Sequence, residues 1–278
     1  MEKIKILTDS CLDLPEELIK KNNIDILSVL INFGDKSYKD KEEINLKEML
    51  DKIEKEEILP TTAQITPNRF EEYFRNALDE GYKVVAVLMS SNMSGTYNSA
   101  CIAKDIIGSD DITIIDTQVI TSAQGLFVLK ACEFRDKGFS PEKIKTEIEK
   151  MIPKMNASLC FESLENLVRG GRISKTAGVI GTALGLRVII GFEDGMMVAK
   201  DKVRGNKKVI RKIISEFESA DVDKNEPVIL IEIESPEVKS ELKKYLDENE
   251  IRYIETTPGC SVGIHSGLGA CGLFFINK

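Results

Sequence analysis

KVVAVLMSSNMSGTYNSA, residues 83–100, decides how the chain begins to fold. KVVAVLM is apolar without alternation, the pattern of a strand buried on both faces of a parallel sheet. SSNMSG is turn chemistry, and TYNSA continues as a helix (TYNSACIAKDII). A strand, a tight loop and a helix make half of a βαβ unit. Five serine and threonine hydroxyls, Ser90, Ser91, Ser94, Thr96 and Ser99, crowd around Gly95 with no acid, base or metal ligand among them. Ser94 and the first helical N–H groups would face an anion, which a helix N-terminus favours. Ser94 also reads as the helix N-cap, a place serine fills well. The two readings are compatible.

The same alternation runs through the first half. KIKIL, DILSVLIN and DITIID are further strand-like runs, and helices with legible starts lie between the runs. Asp13 and Glu16 have capping-box spacing with Pro15 in the first turn, while Thr66-Pro67 and Ser140-Pro141 open two more helices. The second half differs. LRVIIGFEDGMMVAKDKV is two strands joined through Glu193-Asp194-Gly195, a hairpin signal. The helices GNKKVIRKIISEFES and EVKSELKKYLDENE follow, with strands expected at PVILIEIE, IRYIETT, SVGIHS and ACGLFFIN. These patterns predict an α/β lobe with a parallel sheet over residues 1–155. A mostly antiparallel α+β lobe is expected over 156–278.

A chain of 278 residues, 42% of them hydrophobic, has enough material for two such cores. The net charge of -8, with acids and bases interspersed, argues against a nucleic-acid surface. No apolar run approaches the roughly 18 residues of a membrane span. MEKIKILTDS enters a strand at once and leaves no room for a signal peptide. A cytoplasmic protein is expected. Six scattered cysteines, no C-x-x-C and a single histidine provide no metal site of the usual spacing.

Chemistry concentrates in five segments: TDSCLDLP (8–15), PTTAQITP (60–67), SSNMSGTYNSA, VRGGRISK (168–175) and IHSGLGACG (264–272). Loops beyond the carboxyl ends of parallel strands gather into a ligand crevice. Arg172, behind two glycines, reads by itself first as a surface arginine on a glycine-rich bend and second as a guanidinium aimed to grip an oxyanion, and Arg204-Gly205 repeats the pattern. His265 sits among small residues. A serine hydrolase triad would have to be built on the single histidine of the chain, and the G-x-x-x-x-G-K-[ST] of a P-loop does not occur in it.

Taken in order, TDSCLDLP, PTTAQ, SSNMSGTYNSA, DITIIDTQ, LENLVRGGRISK, KVRGNKK and GIHSGLGACG resemble the DegV family of fatty-acid-binding proteins across essentially the whole chain. The resemblance implies two lobes, the second like a domain of dihydroxyacetone kinases, with the ligand between them. It implies a non-catalytic, lipid-carrying subunit of a fatty acid kinase. Such a subunit holds a long-chain fatty acid while a separate ATP-binding kinase subunit phosphorylates its carboxylate, and the acyl phosphate then feeds phospholipid synthesis. The implied partners are that kinase, an acyltransferase using the acyl phosphate, and transiently a membrane; no cofactor beyond the bound fatty acid is implied.

The family's threonine of T-S-Q falls on Thr62, its serine of L-S-G-T on Ser94, its arginine of G-G-R-I on Arg172 and its late histidine on His265. Thr62, Ser94 and His265 are expected at the carboxylate, with Arg172 and Arg204 facing phosphate and partner. Leu126, Phe127, Ile189 and Met196 are expected to shape the tunnel. The chain departs from the family at Ala63, Asn92 and Leu186–Ile190, where the family carries serine, glycine and a run containing proline. Two other readings stand beside the carrier. One is a stand-alone phosphotransferase related to dihydroxyacetone kinase, and the other a lipid-trafficking module without a kinase.

Overall fold

The apolar runs of the first half do pair in parallel. In the computed structural model, which describes residues 2–173 and 185–278, β1 (Ile4–Asp9), β2 (Ile24–Leu27), β6 (Lys83–Leu88) and β7 (Ile112–Asp116) form one sheet in the order β2-β1-β6-β7. Every neighbour in it is parallel. The run DILSVLIN is two strands rather than one. After β2 the chain turns at Ser28-Val29 into β3 (Leu30–Phe33), which joins β4 (Lys36–Lys39) and β5 (Thr61–Ala63) in a small antiparallel sheet, order β4-β3-β5.

The helices of this unit are α1 (Glu16–Lys21), α2 (Leu46–Glu56), α3 (Pro67–Asp79), α4 (Thr96–Ile107), α5 (Ser122–Asp136) and α6 (Pro141–Met151). α3 shows why they pack as they do. Phe70, Phe74 and Ala77 recur at helical spacing and are fully buried, while the opposite face is charged. Asn45 and Glu48 cap α2 reciprocally. The capping box expected at Asp13 does not form. Pro15 occupies the N-cap of α1, and Asp13, with φ 42, turns its carboxylate to Lys41, Thr121 and Gly259.

The second half is built on one six-stranded sheet, order β10-β9-β8-β13-β11-β12, from β8 (Met155–Phe161), β9 (Leu186–Glu193), β10 (Met196–Arg204), β11 (Val228–Ile233), β12 (Tyr253–Thr256) and β13 (Ala270–Ile276). Only β11 and β12 run parallel. Asp194 (φ 47) and Gly195 (φ 74) close the β9–β10 hairpin, the two-residue turn that needs positive φ at both positions. Helices α8 (Asn206–Ser219) and α9 (Pro236–Glu248) cover one face of the sheet, where Val209, Ile213, Phe217, Leu242 and Leu246 meet Cys160, Ile189, Leu230 and Leu273. Ile189, expected on a tunnel wall, is thus committed to the core beneath these helices.

SVGIHS is not a strand but most of helix α10 (Cys260–Ser266). Against an expected division into residues 1–155 and 156–278, the chain separates into Met1–Pro153 with Gly259–Ser261, and Lys154–Pro258 with Val262–Lys278. No helix among the described residues is long and apolar enough to cross a membrane.

Candidate functional site

The loop after β6 is ordered by its own hydroxyls. Ser90 anchors it: its N–H donates to Val119 O (2.8 Å) and its carbonyl accepts from the amides of Met93 and Ser94. Ser90 Oγ accepts from Asn92 N at 3.2 Å. Ser91 is held by a carboxylate from the next strand, donating through N (3.1 Å) and Oγ (2.6 Å) to Asp116 at the end of β7. An acid does therefore reach this loop, but it engages Ser91, away from Ser94.

Ser94 stands two residues before the helix, and Gly95 takes the N-cap position. Even so, Ser94 Oγ accepts from Thr96 N at 3.2 Å and lies 3.0 Å from Thr96 Oγ1. When Thr96 donates its hydroxyl proton to Ser94, the Ser94 O–H is left to donate outward. Thr96 Oγ1 also accepts from Ile65 N (3.4 Å), and Gln64 Nε2 donates to the buried Ser99 Oγ at 3.0 Å. These bonds fasten the segment after β5 to the first turn of α4. Thr62 sits three residues before Ile65, paired with Ile31 of β3. The segment that follows Thr62 and the helix start that follows Ser94 are thus tied together within the first unit. Neutral donors at a helix N-terminus can receive a carboxylate or phosphate oxygen without an ion pair.

Asp9, at the end of β1, lies deeper. Its carboxylate is wholly buried and accepts from Cys11 N (3.0 Å), Met89 N (2.9 Å) and Gln124 Nε2 (2.9 Å). Burial raises its pKa, against those hydrogen bonds and the nearby Lys41 charge. It is a strand-end anchor joining the loops after β1 and β6.

In the second unit, α7 (Glu165–Gly170) leads into Arg172, whose Nη1 donates back to Gly170 O. His265, on α10, lies against Gly170: a Cβ there would overlap Nδ1 and come within 3.1 Å of Cε1. Only a glycine lets the imidazole approach so closely. Burial, then the charges of Arg172 and Arg169, pull the His265 pKa down to about 4, so the ring is neutral at pH 7. The structure therefore brings Arg172 and His265 together. Arg204 ends β10 in an exposed position opposite Leu186, with no bond to either of them. Ser174 and Lys175 of the VRGGRISK segment lie outside the described residues.

Sequence reasoning missed Arg187, a partly buried cation that pairs with Glu162 (2.6 Å) and donates to Asn206 Oδ1 (3.0 Å) and Gly269 O (3.3 Å). It also missed Asp116 and Gln64, whose partners are distant in sequence. Among the described residues, no group of three or more His, Cys, Asp or Glu converges as a metal site.

Known proteins align with this chain from end to end. The protein-family model described as "uncharacterised protein, DegV family" matches residues 3–278. A DegV domain-containing protein of Clostridium acetobutylicum is 48% identical over 278 residues, all of both chains, and one of Clostridium perfringens is 45% identical with the same coverage. Among solved structures, a fatty-acid-binding DegV family protein of Thermus thermophilus superposes with a TM-score of 0.89 at 27% identity, covering 99% of this chain and 100% of its own. DegV of Bacillus subtilis, a fatty-acid-binding protein, gives 0.87 at 28% identity over the whole of both chains. A parallel sheet followed by a mostly antiparallel one, in a sequence alike over its whole length, places this chain in the DegV family.

Proposed function

We propose that this protein binds a long-chain fatty acid, holding its carboxylate with Thr62, Ser94 and His265, and presents it to a separate ATP-dependent kinase subunit. The resulting acyl phosphate passes to an acyltransferase, with transient membrane contact, and the protein itself carries out no chemistry. One observation carries the reading: the corner made by Ser94, Thr96 and Ser99 offers charge-free hydroxyls at a helix N-terminus. Its support is the end-to-end likeness to two fatty-acid-binding DegV proteins.

The energetics agree with that division of labour. Each buried CH₂ contributes about 0.8 kcal/mol, so a long acyl chain supplies on the order of ten kcal/mol before ordering costs. A carboxylate is unfavourable to bury unless hydrogen-bonded. Hydroxyls and a neutral imidazole meet that need, and they leave the carboxylate oxygen more nucleophilic than a tight ion pair would. Arg172 and Arg204 are the cations we assign to the added phosphate charge and the partner.

Protein purified without added lipid is expected to release a fatty acid on denaturation, identified by mass spectrometry. A hydrophilic metabolite, or no ligand together with no binding of added oleate, overturns the reading.

A further inference from the structure

Gly95 has no conformational need to be glycine. Its φ of -71° and ψ of 1° suit any residue. What excludes a side chain is Gln64: a Cβ built on Gly95 would overlap Gln64 Oε1 and fall 2.7 Å from Cδ and 2.9 Å from Nε2. The Gln64 amide therefore lies directly on the N-terminal turn of α4. From there Nε2 reaches one turn further, to the buried hydroxyl of Ser99 at 3.0 Å. The next residue, Ile65, donates its N–H to Thr96 Oγ1, which in turn contacts Ser94 Oγ.

An exposed glutamine held this way is unusual. A surface side chain on a mobile stem gives up rotamer freedom to stay in place, and this one is seated where it adds little to any apolar core. Its consequence is geometric. Thr62 rides on a three-residue strand, β5, paired to β3 alone. Ser94 precedes a helix that packs chiefly against α3 and β7. The two hydroxyls are carried by different elements, and the Gln64 amide is a direct brace between them.

We propose that Gln64 is the positioning residue of the head-group site, fixing Thr62 relative to Ser94, and that Gly95 is kept without a side chain to admit its amide. The proposal rests on the fatty-acid reading above. Gln64 acts on the carboxylate through the two hydroxyls, and the acyl chain's own contribution does not depend on it.

The test compares oleate with oleyl alcohol, which share a chain and differ at the head, by competition against a fluorescent fatty acid. Wild-type protein is expected to prefer the acid. Gln64→Ala is expected to lose roughly three- to tenfold in oleate affinity, the size of one hydrogen bond. The alcohol should stay within about twofold, with the melting temperature unchanged. The carboxyl resonance of bound [1-¹³C]oleate should shift as its environment changes. Gly95→Ala, which displaces the amide without straining the backbone, should reproduce these losses. The double variant should be no weaker than either single one.

A wild-type protein that binds neither probe, or does not distinguish them, removes the head-group reading itself. If wild type prefers the acid but Gln64→Ala keeps that preference, the positioning role is overturned and the fatty-acid reading stands. Equal loss of acid and alcohol, a lowered melting temperature, or additive losses in the double variant would make Gln64 merely structural, and also overturn it.

Discussion

Ser94 and His265 avoid charge by different means. Ser94 is neutral by nature, whereas His265 is kept neutral by burial and by Arg172 and Arg169. Between its ordinary value near 6.5 and about 4 the unfolded chain binds a proton that the folded chain does not. This residue's contribution to stability is therefore complete above pH 6.5 and is lost as pH falls through 4. His265→Gln, which keeps a neutral hydrogen-bonding side chain, should flatten the pH 4–6.5 dependence of thermal unfolding by on the order of 2 kcal/mol or less. An unchanged slope would show that His265 titrates normally. Ser94→Ala removes a single donor, so oleate affinity should fall by no more than about tenfold. Phosphoryl transfer by an added kinase subunit should fall further, because the oxygen's aim matters more there than its retention. Equal losses in binding and transfer would reduce Ser94 to a binding group.

At the scale of elements, local pattern and long-range pairing divided the information. The strands β1, β6 and β7 were legible because fully buried strands read as unbroken apolar runs. The β9–β10 hairpin was legible because Asp-Gly turns have few alternatives. α10 was not. SVGIHS alternates like a strand, yet Cys260 N and Ser261 N donate to the carboxylate of Asp40, some 220 residues earlier, which supplies the anion a helix start favours. The site was hidden in the same way. Thr62 was named through family likeness and Ser94 also through its place ahead of a helix, while Gln64–Ser99 and Ser91–Asp116 are pairings that no local pattern announces. Packing between elements is equally non-local. Gly125 on α5 lies against the turn after β1, where a Cβ would come 2.6 Å from Leu12 O and 2.8 Å from the Leu14 side chain. Gly125→Ala should destabilise the protein by about 1–3 kcal/mol, from overpacking against backbone. A denaturation midpoint equal to wild type would mean that the helix shifts freely.

One buried carboxylate ties together stretches of the first unit that are far apart in sequence. Asp13 is fully buried and accepts from Lys41 Nζ (2.6 Å), Thr121 Oγ1 (2.6 Å) and Gly259 N (2.8 Å), linking positions up to 246 residues apart. Asp13, Lys41 and Thr121 all have positive φ, with Thr121 at φ 60, ψ -143, a region that β-branched residues avoid. Strain at three residues persists only where their mutual bonds over-determine it, so the node should be worth more than any single hydrogen bond. Asp13→Ala leaves the Thr121 hydroxyl and the Gly259 amide without their acceptor, and should destabilise by roughly 2–5 kcal/mol. Lys41→Met keeps both of those bonds. The lysine side chain is part-exposed at 29% and its charge is correspondingly less committed, so its loss should do less harm. Because Asp13 also fastens Gly259 to the first unit, Asp13→Ala should speed limited proteolysis near Gly259 ahead of global unfolding. Lys41→Met should leave that rate near wild type. Equal effects of the two substitutions on stability and proteolysis would mean that the ion pair, rather than the carboxylate's grip on distant backbone, holds this part of the molecule together.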